Sequence, residues 1–64
     1  MVKPFMIKVE PTKDGIHIEL EVAHENGSSR RSQTVKAVEP GKEGMAIGSR
    51  VLWMLYDADE EGLL

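Results

Sequence analysis

The residues of this sequence that are best suited to metal binding are His17 and Glu19, which stand two positions apart. On a strand this spacing places both side chains on one face. A zinc site requires three or four ligands, and neither a cysteine nor a clear third ligand accompanies the pair. We therefore expect no metal and no cofactor, and we interpret His17 and Glu19, with His24 beyond them, as a solvated strand face.

Candidate nucleophiles are equally isolated. Ser28, Ser29 and Ser32 have no evident general base and no group to orient one, and the Gly-x-Ser-x-Gly pattern of a nucleophile elbow is absent from the sequence. The glycine-containing segment 41–44 is neither a phosphate-binding loop nor a dinucleotide-binding fingerprint. We expect no catalytic residue, and the sequence is not typical of an enzyme.

The composition allows one small domain over residues 1–64, with a net charge of -3 and no cysteine. Its longest apolar run covers the six residues 51–56, too short to span a bilayer, and the N-terminus has no signal-peptide pattern. We expect a cytoplasmic protein that does not bind membranes. The negative charge is concentrated in an acidic tail at 57–61, and without it the chain is close to neutral.

Period-two alternation over residues 16–22 predicts a strand with Ile18 and Leu20 on its buried face. Weaker alternation flanks it on both sides, and Asp-Gly and Asn-Gly turn signals separate the three segments. We predict an antiparallel meander with strands at about 4–10, 16–24 and 30–38. Centring the turns on Asp14-Gly15 and Asn26-Gly27 gives the following pairs: Ile7 with Val22, Val9 with Leu20, Lys8 with Glu21, Glu10 with Glu19, Val35 with Ile18, Ala37 with Ile16, and Lys36 beside His17.

Residues 39–44, with one proline and two glycines, are typical of a linker that leaves the sheet. After this linker the pattern becomes helical, over about 45–59. One stripe of this helix is apolar and suits packing on the sheet; it comprises Ile47, Val51, Met54 and Ala58. Gly48 borders the stripe and is expected to let the helix approach the sheet closely, and Gly62 is expected to stop the helix. The predicted fold class is α+β, a three-stranded antiparallel meander followed by one C-terminal helix on one sheet face (β-β-β-α).

The same helix carries a second apolar surface, which we call the outer helix face. It comprises Met45, Leu52, Trp53 and Tyr56, which point away from the sheet at 100° per residue. Either the helix tilts so that Trp53 folds over the sheet edge, or this face is an interface, for which these residue types are typical. We favour an interface, and expect Arg50 beside it to pair with Asp57 or Glu61 of its own helix or of a neighbour.

We therefore predict a non-enzymatic protein-interaction module, an accessory or inhibitor protein. It would form a homo-oligomer, a dimer or higher, or dock on a larger protein, and pairing of the edge strands is a second route to a dimer. The alternative is a nucleic-acid-binding accessory protein that uses its three-stranded sheet, as some DNA-binding modules of this architecture do. Glu10, Glu19 and Glu21 on the required face make nucleic acid an unlikely partner.

Overall fold

A computed structural model describes residues 3–36 and 38–64. Three strands, β1 (Phe5–Thr12), β2 (Gly15–His24) and β3 (Gly27–Val35), precede one helix, α1 (Glu43–Glu60). The strands form one antiparallel sheet in the order β1-β2-β3. The predicted β-β-β-α fold is thus confirmed, although β3 begins and ends three residues earlier than expected and α1 begins two residues earlier. The predicted pairing of Ala37 lies outside the described residues.

Both hairpins pair two residues away from the predicted register. Ile18 lies opposite Val9 on one side and Gln33 on the other, where Val35 had been expected. The turn residues are therefore Lys13-Asp14 and Glu25-Asn26, and each glycine begins the following strand. Because a shift of two residues preserves the alternation, every side chain keeps its predicted face. The pairs of Lys8 with Glu21 and of Lys36 with His17 were wrong: Lys8 faces Glu19 and His17 faces Thr34.

Two features favour the observed register. Gly15 has a φ of +142°, and a Cβ built on it would overlap the carbonyl oxygen of Val35, so only glycine fits where β2 begins. The shift also removes the predicted pairing of two like charges, Glu10 and Glu19. Glu10 now faces His17, and Glu19 faces Lys8.

The buried core joins β2 to α1. Ile18, Leu20 and Val22 from the strand, and Met54 and Ala58 from the helix, are each at most 2% exposed. Apolar side chains surround this cluster and are half-buried: Ile7, Ile16, Val35, Ile47, Val51, Leu55, Leu63 and Leu64. The expectation for Gly48 was wrong, because no atom lies within 4 Å of a Cβ built there.

The helix lies over β2 and β3, and among the described residues it makes no backbone approach to β1. Two polar contacts join it to the inner face of β3. Arg31 forms a salt bridge with Glu61, the residue that follows the helix, and the Arg50 guanidinium donates to the side-chain oxygen Oε1 of Gln33 at 3.0 Å. The predicted pairing of Arg50 with Asp57 or Glu61 of its own helix was therefore wrong, because Arg50 engages Gln33 across the two layers. Its pairing with the same residues of a neighbour stays a prediction.

The C-terminal end of α1 is capped by hydrogen bonds, whereas the N-cap residue Lys42 makes no side-chain capping bond. At the C-terminus Gly62 has a φ of +74° and donates to Asp59, while Leu63 donates to Ala58 at 2.9 Å. This is a Schellman motif, and it confirms Gly62 as the stop. At the N-terminus the Glu43 carboxylate accepts the backbone N–H of Gly41 at 2.8 and 2.9 Å. That bond lowers the pKa of Glu43, with a smaller contribution from its own backbone N–H.

Candidate functional site

The outer helix face is exposed. The exposed fractions are 77% for Met45, 65% for Leu52, 58% for Trp53 and 53% for Tyr56. These four belong to seven large apolar residues that are exposed in the described part of the chain. The alternative in which the helix tilts to cover Trp53 is therefore not what the structure shows.

The two aromatic rings on this face contact each other. The ring centroids of Trp53 and Tyr56 are 5.7 Å apart, with the planes at 76° in an edge-to-face arrangement. One helical turn separates the two residues, which places them as neighbours on the surface of α1. With Leu52 they line a shallow hollow. Such a pair gives the helix a broad, ordered apolar surface that loses little side-chain entropy when a partner covers it.

A second exposed apolar set lies on the inner face of β1. Phe5 and Val9 sit opposite Val22 and Ile18, which places them on the face that α1 covers elsewhere. They are nevertheless 43% and 40% exposed, because the helix lies over β2 and β3. Of the described β1 residues, only Ile7 packs against the core cluster.

The opposite face of the sheet is polar and balanced in charge. The Glu21 carboxylate accepts from Arg30 at 3.1 Å and from Ser28 at 3.0 Å, and Glu19 lies 3.9 Å from Arg30. The hydrogen bond from Arg30 is the main reason why the pKa of Glu21 is lowered. Because carboxylates already engage Arg30, this face offers phosphates little free positive charge, and no observation favours the nucleic-acid alternative.

The candidate metal ligands remain separate. The His17 Nδ1 atom lies 3.5 Å from the hydroxyl of Thr34, and Glu19 lies near Arg30. In the described ranges, no group of three or more histidine and acidic side chains is arranged to hold a metal ion.

One contact escaped the sequence analysis. Ser29 lies 3.2 Å from the Nε2 atom of His24, so this serine has a potential base within hydrogen-bond distance. The pair lies on the inner face at the end of the β2–β3 hairpin, and only the register brings it together. In the described part of the chain no carboxylate hydrogen-bonds to His24 to orient its ring, as a catalytic triad requires. We interpret the contact as a link between the two strands.

The only helix of the described residues is not apolar enough to cross a membrane. Comparison of the chain with protein-family models, curated proteins and solved structures finds no match.

Proposed function

We propose that this protein is a non-enzymatic interaction module that binds through its outer helix face, Met45, Leu52, Trp53 and Tyr56. The partner is a second copy of the chain or a larger protein. One observation carries the proposal: four large apolar side chains, two of them in edge-to-face contact, are more than half exposed on one side of a single helix.

The magnitude of the burial supports this role. Full burial of a large apolar side chain contributes about 1.5–3 kcal/mol, so covering the exposed part of four contributes about 4–8 kcal/mol. Association costs about 4–15 kcal/mol in lost freedom. The outer helix face of one chain therefore offsets this cost only at the low end of its range. Burial of an apolar surface on the partner must contribute the remaining free energy. A second copy would double the contribution, since a two-fold contact uses the same face twice.

The charge pattern indicates how such a partner would approach. The acidic residues at 57–61 follow the apolar face toward the end of α1, and Glu61 is already engaged by Arg31. The remaining acids, Asp57, Asp59 and Glu60, are exposed. They would speed the encounter with a basic partner more than they would strengthen the final complex.

A pair of matched variants tests the proposal. Trp53→Ala removes the largest side chain of the outer helix face, whereas Thr34→Ala trims an exposed side chain of β3 on the opposite face of the sheet. Light scattering over a range of concentrations should show that the mass of the parent protein rises above one chain. Trp53→Ala should lower that mass at equal concentration, and Thr34→Ala should leave it unchanged.

Two results would count against binding of a second copy through this face. If all three proteins have the mass of one chain at every concentration, self-association is absent. If Thr34→Ala lowers the mass as much as Trp53→Ala, the outer helix face has no special role.

A further inference from the structure

The free edge of β1 presents a defined set of backbone groups. The Ala23 N–H donates to the Pro4 carbonyl at 2.9 Å, which makes Pro4 and Ala23 a hydrogen-bonded pair of the antiparallel ladder. Such pairs alternate along the strand, so Met6, Lys8 and Glu10 also direct their backbone groups toward β2. Phe5, Ile7 and Val9 consequently direct both N–H and C=O away from the sheet. Pro11 follows the same outward pattern and offers only its C=O.

The two edges of the sheet differ in the devices that normally prevent strand pairing. On β3 the inner face carries Arg31 and Gln33, which are held by α1, and inward-pointing polar groups of this kind protect an edge. The β1 residues whose backbone N–H and C=O point away from the sheet have apolar side chains. Two of these side chains, Phe5 and Val9, are exposed on the inner face of the sheet. From Phe5 to Val9, no charged residue or proline occupies a position whose backbone groups face the free edge.

We propose that β1 pairs with β1 of a second copy, antiparallel and centred on Ile7, to form a continuous six-stranded sheet. In this register Ile7 faces its own copy, and Phe5 faces Val9 of the other chain on both sides of the two-fold axis. Each of these pairs exchanges two backbone hydrogen bonds, so every outward N–H from Phe5 to Val9 is satisfied. The aromatic–β-branched contact covers the two exposed side chains of the inner face.

The registers centred on Lys8 and on Val9 are less favourable. Centring on Lys8 places two lysines directly opposite each other. Centring on Val9 matches Lys8 with Glu10, but it pairs Ile7 with Pro11, which has no N–H, and it leaves Phe5 beyond the partner strand. An exposed ion pair contributes less than the hydrogen bonds and apolar contact that this register loses. The edge is thus more complementary to itself about Ile7 than about Lys8 or Val9.

This inference goes beyond the proposed function, because it uses a different surface. A two-fold axis perpendicular to the sheet places both helices on the same side of the six-stranded sheet. Both outer helix faces would then remain uncovered and point in one direction, which would present a larger partner with two equivalent contacts.

The absence of cysteine from the chain allows a direct test with the full protein. In the proposed register the Cα atoms of Ile7 and its copy are about 5.5 Å apart, within the range for a disulfide. Val9 faces Phe5 of the other chain, so the Cα atoms of the two copies of Val9 are offset by four residues and lie about 14 Å apart. Under mild oxidation Ile7→Cys should form a cross-linked dimer at least about tenfold faster than Val9→Cys, by non-reducing electrophoresis.

A second pair of variants avoids the half-buried Ile7, whose replacement can weaken the fold. Met6 and Lys8 are exposed on the outer face and lie opposite each other across the proposed axis. A mixture of Met6→Cys and Lys8→Cys proteins should therefore give a mixed dimer, whereas Met6→Cys alone should not. Failure of both Ile7→Cys and the mixture to cross-link, or faster cross-linking of Val9→Cys, would overturn the inference.

The outcome is distinguishable from that of the proposed function. Adding Trp53→Ala to Ile7→Cys should leave cross-linking unchanged if the two surfaces act independently. If Trp53→Ala dissociates the parent oligomer while Ile7→Cys does not cross-link, the outer helix face is the interface and the β1 pairing is wrong. If cross-linking occurs and Trp53→Ala has no effect on mass, the β1 edge forms the dimer and the outer helix face plays no part in it.

Discussion

Gly48 offers a test of whether the side of α1 around it is free in solution. A glycine in a helix interior costs about 0.8–1.0 kcal/mol relative to alanine. No atom lies within 4 Å of a Cβ built at Gly48, so Gly48→Ala adds no clash and gains nearly the whole difference. For a domain of this size, 1 kcal/mol corresponds to about 4–8 °C in Tm. Thermal unfolding followed by circular dichroism at low protein concentration should show an increase of that size.

The matched control makes the same substitution where the structure forbids it. In Gly15→Ala the new methyl group meets the Val35 carbonyl at a backbone with a φ of +142°, so the Tm should fall by several degrees. A decrease for Gly48→Ala would refute the reasoning, because it would mean that another surface approaches α1 at Gly48. If that decrease became larger at higher protein concentration, the approaching surface would belong to a second copy.

Two further predictions concern the core and two hydrogen-bonded carboxylates, Glu21 and Glu43. Met54→Ala should lower the free energy of unfolding by about 2–5 kcal/mol in urea titrations, because Met54 is only 2% exposed; a loss below 1 kcal/mol would contradict its place in the core. The hydrogen bond from Arg30 is the main cause of the lowered pKa of Glu21, and the hydrogen bond from the Gly41 N–H is the main cause of the lowered pKa of Glu43. Both carboxylates therefore stabilise the fold fully above about pH 4.5, and this contribution is lost as the pH falls through the lowered pKa. Glu43→Gln should make the Tm less dependent on pH in this range, and an unchanged dependence would contradict the role of the Gly41 bond.

The faces of the strands were predictable, but their register was not. Alternation fixes whether a side chain points inward, and this holds for Ile18 and Leu20 in either register. A shift of two residues is invisible to alternation. It was decided by the close contact of Gly15 with Val35 and by the charge pairs that the shift creates. The contact of Ser29 with His24 depends on that register, so the sequence pattern could not reveal it.

The outer helix face was predictable from periodicity alone. A helix on a single sheet buries one stripe, and Leu52 and Trp53 fall outside that stripe at any small tilt. Their exposure follows from the architecture rather than from any detail of packing. The exposure of Phe5 and Val9 had no such signal, because it depends on where across the sheet the helix lies.

The position of the helix across the sheet follows from the polar inner face of β3. A centrally placed helix would leave Arg31 and Gln33 beside apolar side chains without partners, and an unpaired polar group is costly to bury. With α1 over β2 and β3, Glu61 reaches Arg31 and Arg50 reaches Gln33. Exposed contacts of this kind add little to stability, but they form only when the helix lies beside β3. That placement leaves Phe5 and Val9 of β1 exposed, on the strand edge that we propose pairs with a second copy.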